Sequence, residues 1–370
     1  MNLQKNIKVI ISGGGTGGHI FPAISIANAL RRIDPATEIL FVGAEGRMEM
    51  QEIPSAGYRI IGLPVEGLDR KNILRNIRVS VRLLKSLRMA KRIISDFKPD
   101  VVAGVGGYAS GPVLRQASRM GIPTLIQEQN SYAGVANRLL AGKASVICVA
   151  YDGMERFFPP EKIVRTGNPV RLSFENLQDR RDEALAYFNL TKGKPVILVL
   201  GGSLGAGSIN KSLTINIDKI AASDYQWLWQ TGQHYYEDIR RAVSASSGSN
   251  ISVQGFITRM DLAYAASDVI ISRAGAGTIS ELCLAGKPAI LVPSPNVAED
   301  HQTSNARALT EKEAAVLVPD DQVADKLVDE AISLAGDSGR RRILGENILK
   351  MADPEADMRI AQEIIKLVGE

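Results

Sequence analysis

One local pattern occurs twice, about 190 residues apart, and constrains the fold more than any other feature. Ile7–Ser12 is an apolar strand-like run that leads into Gly13-Gly14-Gly15-Thr16-Gly17-Gly18, then a helix-length segment with Pro22 in its first turn. Val196–Leu200 runs in the same way into Gly201-Gly202-Ser203-Leu204-Gly205-Ala206-Gly207 and another helix. Strand, glycine turn and helix in that order open a parallel α/β sheet, and finding two such openings predicts two sheets. Further runs follow each opening. The first half has Ile39–Val42, Arg59–Ile61, Val101–Gly104, Thr124–Gln127 and Ser145–Val149; the second has Gln226–Gln230, Ile251–Val253, Asp268–Ser272 and Ala289–Val292.

A chain of 370 residues exceeds what one hydrophobic core usually spans. The pattern predicts two Rossmann-like domains facing across a cleft: residues 1–167, a linker over 168–194, and residues 195–350. The last segment, 351–370, is expected to return as a helix to the first domain. Asn168-Pro169-Val170-Arg171 and the polar stretch Glu175–Lys194 break the strand–helix rhythm, which places the linker there. No apolar run reaches the 18 or so residues that a spanning helix needs, and the N-terminus lacks signal-peptide anatomy. The two cysteines, Cys148 and Cys283, lie far apart in apolar contexts, which points to a reducing compartment.

Charge is unevenly shared. Residues 1–170 hold 23 Lys and Arg against 13 Asp and Glu, whereas the remainder holds 21 against 27. The basic half suits an anionic partner, either phosphate groups or an acidic membrane face. Within Ile73–Ile94, Ile73, Ile77, Val81, Leu84 and Leu87 share one helical face, and Arg75, Arg78, Arg82, Lys85 and Arg92 fall on a neighbouring one. The expectation is a helix whose apolar stripe packs on the domain while its basic side meets lipid headgroups.

The loop Gly13–Gly18 matches G-x-G-x-x-G, in which glycine allows close backbone approach and the helix start offers N–H groups to phosphate. Alone it would equally serve a nicotinamide enzyme, with Glu45 as the ribose acid. Three more loops tip the balance: Gly104–Gly111, Gly201–Gly207 and Ser272–Glu281. In the last, small residues at Gly275, Ala276 and Gly277 admit a pyrophosphate, Thr278 and Ser280 add hydroxyl donors, and Glu281, placed in the first helical turn, suits a ribose diol. With no D-x-D and only three scattered histidines (His19, His234, His301), no dedicated metal site is expected.

Several segments together resemble one family. They are Gly13–Ala23, Gly106-Gly107-Tyr108, Glu128-Gln129-Asn130, Gly167–Arg171, Gly201-Gly202-Ser203, Gly275–Glu281 and His301–Ala306. The chain is similar to the peptidoglycan N-acetylglucosaminyltransferases that act on undecaprenyl-diphospho-muramyl-pentapeptide (the MurG family). The resemblance runs nearly end to end and implies the GT-B glycosyltransferase fold. It implies an inverting β-1,4 transfer from UDP-N-acetylglucosamine to the 4-hydroxyl of the lipid-linked muramyl sugar, without a metal or other cofactor and without nucleic acid. It also implies a peripheral protein at the cytoplasmic face of the membrane. Carried over by motif, the donor contacts are Thr16, Gly17, Gly18, Asn130, Arg171, Ser203, Ile257, Ala276, Gly277, Thr278, Ile279, Ser280, Glu281 and Gln302, with Ile257 acting through its backbone on the uracil.

Leu204 stands where the family often has Gln, and Gln127 where His is common; the first removes a polar contact to the donor. Inversion by single displacement needs a base for the acceptor hydroxyl, and His19 at a helix start is the candidate. His19 could instead bind a phosphate or cap the loop, Arg171 brace the linker, and Asn130 cap a helix. A different UDP-sugar transferase or a UDP-sugar epimerase of the same fold is the alternative reading.

Overall fold

The computed structural model describes residues 6–66, 73–170, 177, 179–202, 205–246, 248–297 and 300–369, with backbone alone at 73–78 and 80. The chain forms two compact units, Met1–Arg171 with Asp353–Glu370, and Leu172–Ala352. Each is a Rossmann-like α/β domain.

The first unit holds β1 (Lys8–Ser12), β2 (Glu38–Ala44), β3 (Arg59–Leu63), β4 (Val101–Gly104), β5 (Thr124–Glu128), β6 (Val146–Val149) and β7 (Ile163–Arg165). All pairings are parallel, in the order β3-β2-β1-β4-β5-β6-β7. Parallel strands are covered on both faces, so they read as unbroken apolar runs. In β1, Val9 and Ile11 face a cluster with Ile20, Ile24 and Ala27 of the helix Gly17–Ile33, while Ile10 faces Ala90, Ile94, Val113 and Leu114 on the other side.

The second unit holds β8 (Val196–Leu200), β9 (Gln226–Gln230), β10 (Ile251–Gln254), β11 (Val269–Ser272), β12 (Ala289–Leu291) and β13 (Val316–Leu317), in the order β10-β9-β8-β11-β12-β13, again all parallel. Ile197 and Val199 join Trp227, Trp229 and Leu327 on one face, and Leu198 and Leu200 join Leu262, Ile279 and Leu309 on the other. The indole of Trp229, buried in this core, donates its N–H to Asn210 Oδ1 at 3.0 Å, as a buried indole must to avoid an unpaired donor.

The sequence pattern misses β7 and β13. Both are edge strands of three and two residues and only partly buried, too short to write an apolar run. Of the stretch read as linker, the helix Arg181–Tyr187 packs on the helix Met260–Ala266, with Ala184, Leu185 and Phe188 buried in the second unit's core.

The helix Ala356–Lys366 buries Ile360, Ala361 and Ile364 in the first unit's core, beside the helix Gly17–Ile33. Arg359 donates to the Thr166 carbonyl, and Arg32 pairs with Asp357. Ile364→Ala is expected to lower the unfolding free energy by about 2–4 kcal/mol in urea denaturation, whereas Leu349→Ala, at a half-exposed side chain, stays within about 1 kcal/mol.

Candidate active site

In each sheet the strand order reverses direction once, between β1 and β4 and between β8 and β11. Ligands of such sheets bind outside the carboxyl ends of the strands at that point. The glycine loops lie there in both units.

In the first unit two loops meet backbone to backbone. A Cβ on Gly107 would lie 2.2 Å from the Gly14 carbonyl oxygen, and Gly106 and Gly107 have φ of +92° and +86°. The β4 loop is fastened below by Val105 N–H to Ser12 O at 2.8 Å and by Ser110 Oγ, 2.7 Å from Ser12 O and 2.8 Å from Gly106 O. His19, half-buried in the first turn of its helix, lies against this junction. Its Nδ1 is 3.1 Å from the Gly14 carbonyl oxygen, and a Cβ on Gly106 would come within 2.8 Å of its Nε2. A carbonyl only accepts, so Nδ1 carries the proton in this bond and the neutral ring keeps its lone pair on Nε2. That is the form a base needs.

Beneath the first loop lies a residue that sequence reasoning missed. Glu49 is wholly buried, and its carboxylate accepts from Gly15 N–H and Ala44 N–H, both at 2.9 Å. A Cβ at Gly14 would lie 2.1 Å from its Oε1, and one at Gly43 2.6 Å from its Cγ. Those two glycines are the only trace of it in the sequence. The Gly15 N–H is therefore turned to a carboxylate, and the groups left at the helix head for a ligand are those of Gly17 and Gly18, behind the exposed Thr16.

Asn130 sits on the loop after β5, organised by a second buried carboxylate. Glu128 accepts from Asn130 N–H (3.0 Å) and Nδ2 (3.2 Å), Gly134 N–H (3.0 Å) and Asn137 Nδ2 (2.9 Å). Asn130 thus has a loop-building role, and the helix Val135–Leu140 is capped by Gly134 instead. Gln127 joins a chain of buried amides: Gln129 Nε2 donates to Val105 O (2.7 Å) and to Gln127 Oε1, Gln127 Nε2 to Asn168 Oδ1 (3.1 Å), and Asn168 Nδ2 to Gln129 O (2.9 Å). The chain ties the β4 loop to the end of the unit.

In the second unit the helix Ala276–Ala285 follows β11 with Gly275 as its N-cap, and its first amides, Ala276 to Thr278, head toward the sheet's carboxyl edge. A Cβ on Gly277 would meet nothing within 4 Å, so this loop is open to a ligand. Ser280 Oγ donates to Ala276 O at 3.0 Å, which spends the hydroxyl proton inside the helix and leaves Thr278 as the hydroxyl near its head. Glu281 lies six residues in, on the second turn rather than the first; the helix begins at Ala276 because Gly275 is still extended. Its carboxylate accepts from Tyr264 O–H at 2.8 Å. Tyr264 is fully buried, and burial together with the Glu281 charge pushes its phenol well above the usual range, so it stays a donor.

Gln302, in the helix His301–Thr310, accepts from Ser294 N–H at 2.8 Å through Oε1, while Asn305 of the same helix bonds Ala274 O at 3.3 Å. These contacts draw Gln302 toward the Ala276 helix. Ile257 is buried in the same core cluster as Ile279, which leaves only its backbone for a ligand. Arg273 binds Asp320, Ser208 and the carbonyls of Val292 and Pro293, a brace between strand ends. Arg171, Ser203 and Leu204 lie outside the described residues.

The basic helix spans Ile73–Phe97. Among the described side chains its buried positions are Val79, Ser86, Ala90, Ile93 and Ile94; of the stripe expected, Leu87 is partly buried, Val81 and Leu84 face outward, and the side chains of Ile73 and Ile77 lie outside the described residues. Val81 and Leu84 are 62% and 56% exposed and share the outer face with Lys85, Arg88 and Arg92. Arg82 is engaged by Glu66. The side chains of Arg75 and Arg78 lie outside the described residues. Among those residues no helix is long and apolar enough to cross a membrane.

Two Rossmann-like units with glycine loops at their switch points make up the GT-B architecture, the fold of sugar-nucleotide glycosyltransferases. The chain belongs to glycosyltransferase family 28, whose N-terminal domain matches residues 9–149 and C-terminal domain residues 196–342, and within it to the UDP-N-acetylglucosamine--N-acetylmuramyl-(pentapeptide) pyrophosphoryl-undecaprenol N-acetylglucosamine transferases. The protein of that name from Parabacteroides distasonis is 57% identical over 365 residues, covering 99% of both chains, and that from Bacteroides thetaiotaomicron is 56% identical over 367 residues, again 99% of both. Among solved structures, Acinetobacter baumannii MurG superposes with a TM-score of 0.77 at 28% identity, covering 97% of this chain and 99% of the other.

Two substitutions probe the halves. Gly106→Ala forces a methyl group onto the His19 ring and is expected to cut turnover about a hundredfold with little change in UDP affinity, measured by steady-state kinetics and calorimetry. Tyr264→Phe removes the bond that aims Glu281 and should raise the KM for the nucleotide sugar about tenfold while kcat holds.

Proposed function

We propose that this chain moves N-acetylglucosamine from UDP-N-acetylglucosamine to the 4-hydroxyl of undecaprenyl-diphospho-N-acetylmuramyl-pentapeptide, with inversion at the anomeric carbon. One observation carries the reading beyond family membership: His19 is held by Nδ1 at a loop junction, with its basic nitrogen at the carboxyl edge of the first sheet. Nε2 takes the proton of the acceptor hydroxyl as that oxygen bonds to the anomeric carbon, and the carbon–phosphate oxygen bond breaks on the opposite side.

The departing UDP gathers charge on its diphosphate. In the second unit the amides of Ala276, Gly277 and Thr278 would stabilise that charge, a helix start being favourable to anions. Glu281, aimed by Tyr264, takes the ribose hydroxyls, Ile257 meets the uracil by its backbone, and Gln302 offers its amide N–H groups to the sugar. Thr16, Gly17, Gly18, Asn130, Arg171 and Ser203 are further donor contacts in this reading. The reaction is metal-independent in this reading: backbone donors do what a cation does elsewhere.

The lipid-linked acceptor calls for a peripheral protein at the cytoplasmic membrane face. The outer side of the helix Ile73–Phe97 supports this, since exposed Val81 and Leu84 beside Lys85 and Arg88 combine insertion with attraction to anionic headgroups, at about 1 kcal/mol for each basic residue near the surface.

Transfer to a soluble-tailed analogue of the lipid acceptor tests the assignment, with UDP-glucose and UDP-galactose as competing donors. N-acetylglucosamine transfer should dominate, persist in EDTA, and fall about 10²–10⁴-fold in His19→Ala. Equal use of the three donors, or a rate lost in EDTA and regained with Mg²⁺, would overturn it. Val81→Asp with Leu84→Asp should abolish sedimentation with phosphatidylglycerol vesicles; unchanged sedimentation removes the membrane proposal.

A further inference from the structure

Glu49 and His19 hold the two edges of one peptide group. The Gly14–Gly15 bond is trans, so its carbonyl and N–H point to opposite sides. On one side the Gly15 N–H donates to Glu49 Oε2 at 2.9 Å; on the other the Gly14 carbonyl accepts from His19 Nδ1 at 3.1 Å. Carboxylate, peptide and imidazole therefore lie in series. Gly14 at φ +151° and Gly43 have no side chains, which is what lets a wholly buried carboxylate come so close.

We propose that Glu49 is a positioning residue for His19, acting through the Gly14–Gly15 peptide. This rests on His19 being the base. A carboxylate against the N–H polarises the peptide, and hydrogen bonds in series strengthen one another where water is excluded. The carbonyl becomes a better acceptor for Nδ1–H, which fixes the ring and stabilises the imidazolium that forms when Nε2 takes the acceptor's proton. A catalytic triad achieves this by direct contact between acid and imidazole. Here a peptide stands between them, and no proton crosses it.

A carboxylate that merely stapled the amides of Gly15 and Ala44 would act regardless of His19, and this separates the two roles. Glu49→Gln keeps the shape and removes the charge. The expected result is a kcat lowered about tenfold to a hundredfold with UDP affinity unchanged by calorimetry. In a His19→Ala background the same substitution should cost less than about twofold more. An equal loss on top of His19→Ala, or wild-type turnover in Glu49→Gln, overturns the proposal and leaves the base assignment standing. Near-normal turnover of His19→Ala itself overturns both.

Should Glu49→Gln not fold, ¹⁵N NMR of the histidine rings in the unaltered protein decides. A neutral His19 ring protonated on Nδ1 upholds the series; one protonated on Nε2 breaks it.

Discussion

Gly107 presses so closely on Gly14 that there is no room for a single carbon between them. This contact between two main chains sets the geometry of the first unit's switch point. It brings the loops after β1 and β4 to one level, places the Gly14 carbonyl where His19 can bond it, and leaves the ring lying over Gly106. The rest of that half follows from support around the junction: Glu49 beneath the first loop, Ser110 beneath the second, and Gln129 holding Val105 from the side. Where two backbones touch, side chains contribute only by fastening the ends, and all of these do so.

Much of the fold is legible in the sequence, because parallel strands buried on both faces leave continuous apolar runs and the glycine loops mark where each sheet begins. What escapes is short or local. β7 and β13 are edge pieces whose neighbours supply most of their definition. Periodicity places Val81 and Leu84 on an apolar stripe, but it identifies a face of a helix and not what that face meets. Val79, Ser86 and Ala90 turn inward, and Val81 and Leu84 lie outside.

At the site, motif residues were visible and their supports were not. Glu281 was recognisable from Gly275–Glu281, but its distance from the helix start depended on Gly275 remaining extended, and its partner Tyr264 lies in another helix. Glu128 stood inside a recognised triplet without a role, because its four donors come from residues that only the turn after β5 gathers. Glu49 was invisible: nothing in Arg47-Met48-Glu49 distinguishes a buried carboxylate from a solvated one. Buried charges are specified by the donors that surround them, and those are scattered along the chain.

The helix Ala356–Lys366 belongs to the first unit although the whole second unit precedes it in the chain. During synthesis, therefore, the earlier-made sheet lacks Ile360 and Ile364 until the ribosome has finished everything between, on the order of ten to forty seconds at ordinary elongation rates. The second unit is contiguous and is complete on emergence. Assembly order in the cell thus runs against the direction of translation, and the first half spends that interval without the helix that packs beside Gly17–Ile33.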